Sequence, residues 1–208
     1  MEKGKLTFYT DLKQKSQEWK DLKVGRASGS QAIGLTTKAR LKTYVIEKLT
    51  EIATGELPFV FVNKAMARGN EKEPEARDLY EVLTGNDVTE VGAVANSNYP
   101  YGLLSPDGLI GTEGALEIKS PNSSTHMKTL LGGIIPVTNI AQVTWYFVIL
   151  EDIQWLDFMS FDDRVPDKPY FLTRVTREGL KSEIDEMKKM YKLFEKGLMD
   201  GLNQLADD

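Results

Sequence analysis

Ser105-Pro106-Asp107-Gly108-Leu109-Ile110-Gly111-Thr112-Glu113-Gly114-Ala115-Leu116-Glu117-Ile118-Lys119 is the stretch from which the rest of the chain is read. Short apolar runs flank Gly111-Thr112-Glu113-Gly114. Glycine at both ends of such a link suits a tight reversal between antiparallel strands, so the spacing predicts a hairpin. Folding its arms together brings Asp107, on the first, towards Glu117 and Lys119 on the second. Side chains alternate faces along a strand, so Glu117 and Lys119 point one way while Leu116 and Ile118 point the other. The expectation is a surface patch of two carboxylates and an ammonium above an apolar face.

By composition alone these residues equally describe a solvated hairpin face, because charged side chains are mostly exposed. Their order adds information. Pro106-Asp107, then Glu117-x-Lys119 about ten residues on, resembles the signature of the PD-(D/E)xK nucleases.

A chain of 208 residues with 41% hydrophobic and 27% charged residues suits one globular domain, 1–208, with a sizeable core. No apolar run approaches membrane-spanning length, and Met1-Glu2-Lys3-Gly4-Lys5 lacks a signal-peptide core. A cytoplasmic, membrane-free protein is expected. With 0 cysteines, disulfides, thiol nucleophiles and thiolate zinc sites are excluded, and 1 histidine leaves a histidine-rich metal site or a Ser-His-Asp triad hard to build. Any metal is expected on oxygen ligands. The formal net charge of -5 argues against non-specific coating of nucleic acid but leaves room for a local basic patch.

Along the chain, Met1–Asp11 reads as an irregular arm and Leu12–Leu22 as a short helix. In Lys23-Val24-Gly25-Arg26-Ala27-Ser28-Gly29-Ser30, small residues and two cations suit a phosphate, and Ser28 or Ser30 suits the cap of a helix over about 31–34. A plain loop with a capping serine fits these residues equally. Lys38–Thr54 has the 3.6-residue period of an amphipathic helix, with Leu41, Tyr44, Val45, Leu49 and Ile52 as its core stripe, ending near Gly55. Asn63–Thr84 reads as a helix interrupted at Gly69 and Pro74, with Glu73 either aimed at the carboxylates or solvated. Val88–Val94 reads as a strand. Beyond Lys119, Ser123 or Ser124 suits the cap of a helix through Leu131, and Pro136 opens an apolar helix to about Leu150. On that helix Gln142 and Tyr146, four apart, are either satisfied core groups or part of the site. Trp155–Phe161 and Tyr170–Val175 read as strands, and 178–199 as a packing helix. The order indicates an α/β or α+β domain with a mixed central sheet flanked by helices.

Trp19 with Lys23-Val24-Gly25 and Ser28-x-Ser30, Arg68-Gly69-x-x-x-Glu73, Ser105-Pro106-Asp107-Gly108, Leu116-Glu117-Ile118-Lys119-Ser120-Pro121, Leu131-Gly132-Gly133 and Ala141-Gln142-Val143-x-x-Tyr146 follow one another in the order found in the lambda-exonuclease family of YqaJ-type viral recombinase nucleases. The resemblance spans about residues 19–160. It implies a restriction-endonuclease-like fold and a 5′-to-3′ exonuclease that digests double-stranded DNA to mononucleotides. It also implies a Mg²⁺ site that Mn²⁺ can substitute, a homotrimer ring, and a single-strand annealing partner in phage recombination. Carried over by position, Asp107, Glu117, Glu73 and the Ile118 carbonyl resemble the metal ligands, and Lys119 the catalytic lysine. Gln142 and Tyr146 match the Gln-x-x-x-Tyr motif, and Lys23, Arg26, Ser28, Ser30 and Ser105 resemble a 5′-phosphate pocket. Two positions depart from the family pattern. Ser123-Ser124-Thr125-His126 stands where an arginine follows the catalytic lysine, and Lys23 stands for an arginine in the first loop. Lysine neutralises a phosphate without gripping it bidentately.

Phosphodiester hydrolysis suits these residue types, because carboxylates hold hard divalent ions and a lysine beside them orients or deprotonates water. A lysine next to metal ions is expected to lose its proton more readily. A structure-specific or restriction-type endonuclease of the same superfamily is the alternative. A binding module requires a catalytic position to be missing, and a carbohydrate-active pair needs no neighbouring lysine.

Overall fold

In the computed structural model, which describes residues 4–59, 61 and 63–206, the Ser105–Lys119 stretch folds as the hairpin its glycines predict. The elements run β1 (Leu6–Tyr9), α1 (Gln17–Lys23), β2 (Ala27–Ser28), a 3₁₀ helix (Gly29–Leu35), α2 (Lys38–Thr54), α3 (Lys64–Thr84), β3 (Ala93–Asn96), β4 (Gly102–Leu103), β5 (Gly108–Ile110), β6 (Gly114–Lys119), α4 (Ser123–Gly132), α5 (Val137–Ile149), β7 (Trp155–Phe161), β8 (Tyr170–Thr176) and α6 (Lys181–Ala206). β5 pairs antiparallel with β6, Gly108 facing Leu116 and Ile110 facing Gly114. The reversal takes only Gly111-Thr112-Glu113, with Gly111 left-handed at φ 53°. Gly114 lies within β6, where a Cβ would come 2.4 Å from the Trp155 ring.

β6 pairs parallel with β7 through the α4–α5 crossover, and β7 antiparallel with β8, giving a mixed sheet in the order β5-β6-β7-β8. Both faces of this sheet are covered. Leu116 and Ile118 pack with Ala76 and Tyr80 of α3 and with Met159 and Phe161. Ala115 packs on the other side with Val143, Tyr146 and Phe147 of α5 and with Leu156 and Phe158, in a core that α6 closes with Tyr191, Phe194 and Leu198. The expected surface patch is therefore corrected. Glu117 is 0% exposed, because a central strand with a parallel neighbour and helices on both faces has no solvated side.

The expected mixed sheet with flanking helices is observed, and most helices stand where their periodicity and caps predict. Thr37 and Gly55 bracket α2, and Asn63 and Gly85 bracket α3. α3 runs unbroken through Gly69 and Pro74, contrary to the expected interruption. Asn122, rather than Ser123 or Ser124, caps α4 by accepting the Thr125 N–H at 2.9 Å. The expected strand over Val88–Val94 is displaced to β3, and the expected irregular arm contains β1, which pairs antiparallel with it, Leu6 opposite Asn96. Met1–Lys3 of that arm lie outside the described residues. α1 begins later than predicted, at Gln17, because Ser16 caps it by accepting the Trp19 N–H at 3.2 Å. Among the described residues no single helix is long and apolar enough to cross a membrane. α4 and α5 pass only as a pair bent by 77°, and α5 is buried in the core.

Candidate active site

The end of β6 assembles the first group of predicted residues. Asp107 lies in the turn before β5, and its Oδ2 accepts the Ile118 N–H of β6 at 2.7 Å. The N–H and C=O of one strand residue leave the strand on the same side, so the Ile118 carbonyl also faces Asp107. Glu117 points to the α5 side, and its ion-pair partner is the Lys119 ammonium, whose side chain is 33% exposed.

Tyr146, fully buried on α5, accepts the Asp107 N–H at 3.1 Å and reaches the Leu116 carbonyl at 3.4 Å. Tyr146 is thus a core group with its hydrogen bonds satisfied, and one of them is to the backbone of Asp107. Gln142 stands one turn earlier on the same face, 3.6 Å from where a Gly29 Cβ would lie, and so joins the 3₁₀ helix to the Tyr146 face of α5. Glu73 is near enough to raise both Asp107 and Lys119, yet its carboxylate pairs with Arg77 Nη2 at 3.1 Å. Arg77 also donates to the Asp107 carbonyl at 3.2 Å and pairs with Glu90 at 2.8 Å. It escaped the sequence reading, although its i,i+4 spacing from Glu73 was a usable signal. Among the described residues no three His, Cys, Asp or Glu side chains form a ready metal cage.

The electrostatics show what the cluster lacks. Burial first, and then Glu117, pushes the Asp107 carboxyl well above the usual carboxylate range. Burial works downward on Lys119, but Glu117 and Asp107 outweigh it and hold the ammonium above its ordinary value. Burial and the same two carboxylates raise the Tyr146 hydroxyl. All three groups are pushed towards their protonated forms, so the cluster is short of positive charge. Without a metal, then, Lys119 keeps its proton more firmly than usual.

The second predicted group surrounds the 3₁₀ helix. Trp19 Nε1 donates to Ser105 Oγ at 2.8 Å, and the Lys23 ammonium lies 4.7 Å from the Trp19 ring centre. Ser105, two residues before Asp107, thus links this region to the carboxylates. Ser28 occupies the cap position of the 3₁₀ helix, but its Oγ donates to Gln31 Oε1 at 3.2 Å instead of capping, and its N–H donates to Tyr44 Oη at 3.2 Å. Ser30 is exposed and Arg26 half-buried near the same turn. The expected α2 core stripe is observed, with Leu41 and Tyr44 buried and Val45, Leu49 and Ile52 partly buried against the core, and Lys48 and Glu51 are buried beside it. Lys48 donates to Glu51 at 2.7 Å and to Gln31 at 2.8 Å, and Glu51 accepts the Gly25 N–H at 3.0 Å. A buried ion pair therefore ties α2 to the loop carrying Lys23 and Arg26. Its i,i+3 spacing was visible in the sequence, but an apolar-stripe count passes over charged residues. Burial, and then Lys48, lowers the Lys23 ammonium to about 8.

A family model described as the YqaJ-like viral recombinase domain matches residues 18–151. Among solved structures, the alkaline exonuclease LHK-Exo from Laribacter hongkongensis is similar at 35% identity with a TM-score of 0.79, over 92% of this chain and 99% of that one. Its complex with dAMP gives the same values. A phage-related exonuclease from Haemophilus somnus 129PT shares the fold, with a TM-score of 0.59 at 17% identity over 85% of this chain and 96% of that one. No curated protein matches. With the hairpin, the α5 motif and the loop around Lys23 all inside the matched span, the chain belongs to the YqaJ-like viral recombinase domain family.

Proposed function

We propose that the protein is a metal-dependent 5′-to-3′ exonuclease that digests double-stranded DNA to mononucleotides and leaves a 3′ single strand for recombination by annealing. The observation that carries this is the meeting of Asp107, Glu117 and Lys119 at the end of β6, with the Glu117 carboxylate fully buried beside the Lys119 ammonium. The likeness to LHK-Exo, whose complex holds the mononucleotide dAMP, supports the same reading, which takes 1–208 as one nuclease domain of restriction-endonuclease-like fold.

The residues fit a divalent ion. Two carboxylates around one ammonium, a carbonyl turned the same way and a deficit of positive charge match the hard oxygen ligands that Mg²⁺ takes, with Mn²⁺ as a substitute. Asp107, Glu117 and the Ile118 carbonyl form the core of this donor set, and Glu73 is its further carboxylate, held by Arg77 in this structure. Bound there, the ion makes water a competent nucleophile near neutral pH and offsets charge developing on the phosphate.

The chain's own groups do the rest. Tyr146 and Arg77 fix the Asp107 backbone from either side through its N–H and carbonyl. Lys119 holds a proton at Nζ between two carboxylates and orients water in line with the scissile phosphate. Gln142 steadies the 3₁₀ helix against α5. Lys23, Arg26, Ser28, Ser30 and Ser105 receive the terminal 5′-phosphate, with Trp19 holding Ser105 in place. Family membership supports a homotrimer ring and a single-strand annealing partner. A ring keeps a chain of net charge -5 on DNA by topology where overall charge does not.

The test is digestion of a linear duplex carrying a 5′-phosphate at one end and a 5′-hydroxyl at the other, with Mg²⁺ and with EDTA. Mononucleotides released from the phosphorylated end only with Mg²⁺ are expected. Cutting of a covalently closed circle would replace this reading with the endonuclease.

A further inference from the structure

A cavity of about 260 Å³ opens beyond the end of β6, walled by Lys64, Ala65, Arg68, Pro121, Asn122 and Arg164. Pro121 and Asn122 continue the chain from Lys119, so the cavity lies within about 10 Å of that residue, an extended residue spanning at most ~3.5 Å. It borders the α3 and β7 side of the site, whereas Ser105 and Trp19 lie on the β5 side. Its wall carries three cations and no carboxylate.

The balancing carboxylates stand behind these cations. Asp162, with a fully buried side chain, accepts from Arg164 Nε at 2.7 Å, from Arg164 Nη2 at 3.0 Å and from Arg68 Nη2 at 3.2 Å. Asp163 pairs with Arg68 and, at 2.6 Å, with Lys72. These bonds fix the guanidiniums while sparing donors. Arg68 Nη1 is buried without an acceptor among the described residues, and Arg164 is bonded through Nε and Nη2 to Asp162 and through Nη2 to the Pro121 carbonyl at 3.2 Å, with no described acceptor on Nη1. Lys64 is exposed at the start of α3. Pre-oriented guanidiniums beside an exposed ammonium suit a phosphate oxygen set.

We propose that this cavity binds a phosphodiester group of the DNA strand close to the cleaved bond, through Lys64, Arg68 and Arg164. The proposal rests on the nuclease reading and gives that reading a second anchor, on the opposite side of the carboxylates from the 5′-phosphate pocket. A duplex held at both points is kept in line with Lys119.

The test compares wild type with Lys64→Gln and Arg164→Gln on a short 5′-phosphorylated hairpin duplex. Affinity is read against salt, as Kd in EDTA and as KM with Mg²⁺, and binding of free dAMP and thermal melting are measured alongside. Each variant is expected to weaken duplex binding and to lower the magnitude of the log–log salt slope by about 0.9, the share of one phosphate contact. Lys64→Gln keeps the test decisive if the loss of Arg164 from buried Asp162 impairs folding. An unchanged slope in Lys64→Gln, with wild type binding and digesting normally, overturns the subsite and leaves the nuclease reading intact. Weaker dAMP binding with an unchanged duplex slope assigns the cavity to the released nucleotide and also overturns it. Wild type that neither binds nor digests duplex removes both readings.

Discussion

Asp107 and Glu117 bury their carboxylates around one ammonium, and the protein retains this arrangement at some expense of stability. Asp107→Asn keeps an acceptor for the Ile118 N–H while removing the repulsion with Glu117. Its melting temperature in EDTA is expected to rise by about 2–4 °C for ~1 kcal/mol of relief, while Mg²⁺-dependent digestion falls about 100-fold or more, the scale of a lost charge contact in a transition state. Calorimetry with EDTA and with Mg²⁺ checks both, and a lower melting point in EDTA would remove the repulsion argument. Lys23 titrates separately. Burial and Lys48 bring it to about 8, below the ~10.4 of an unfolded lysine. Between those values the unfolded chain binds more protons, so Lys23's contribution to stability rises with pH, while the charge that would meet a 5′-phosphate is present below about pH 8 and fades above it. The kcat/KM preference for 5′-phosphorylated over 5′-hydroxyl ends is expected to decline through that pH. Lys23→Arg should carry it to higher pH, and a flat wild-type profile would take Lys23 out of the pocket.

The 3₁₀ helix is the element on which the proposed phosphate pocket depends. A Cβ on Gly34 would fall 2.5 Å from the Tyr44 ring, and Tyr44 holds the Ser28 N–H. Gly34→Ala is therefore expected to push this helix off α2 at about 1–3 kcal/mol and to raise KM for 5′-phosphorylated ends more than it lowers kcat. Gly29→Ala, whose Cβ would meet nothing closer than 3.6 Å, serves as the tolerated control. Denaturant melts and steady-state digestion separate the two, and equal behaviour would show that the helix shifts freely. The same element marks where sequence reading thinned out. α2 and α3 were legible because their caps and periodicity are local: Thr37, Gly55, Asn63 and Gly85 sit where a helix must start or stop. β1 and β3 were not, because a four-residue strand becomes a strand only by pairing with a segment far along the chain, as Leu6 does with Asn96.

At the scale of the whole molecule, one sheet covered on both faces brings together residues far apart in sequence. Asp107 meets Tyr146 from α5 and Arg77 from α3, and Ser105 meets Trp19. The lone histidine, fully buried, is absorbed as architecture, bridging Ser160 at 2.8 Å and the Lys168 carbonyl at 3.0 Å. Residue order and period by themselves determined the hairpin, most of the helices, the mixed sheet and the order of Asp107, Glu117 and Lys119, because glycine turns, caps and alternation act over a few residues. Only the tertiary structure decided that Glu117 is buried, that Glu73 is held by Arg77, that Lys48 and Glu51 form a buried pair, and that Arg68 and Arg164 share Asp162. The burial and partners of a charge are set by whatever covers it, and here the covering elements come from distant parts of the chain.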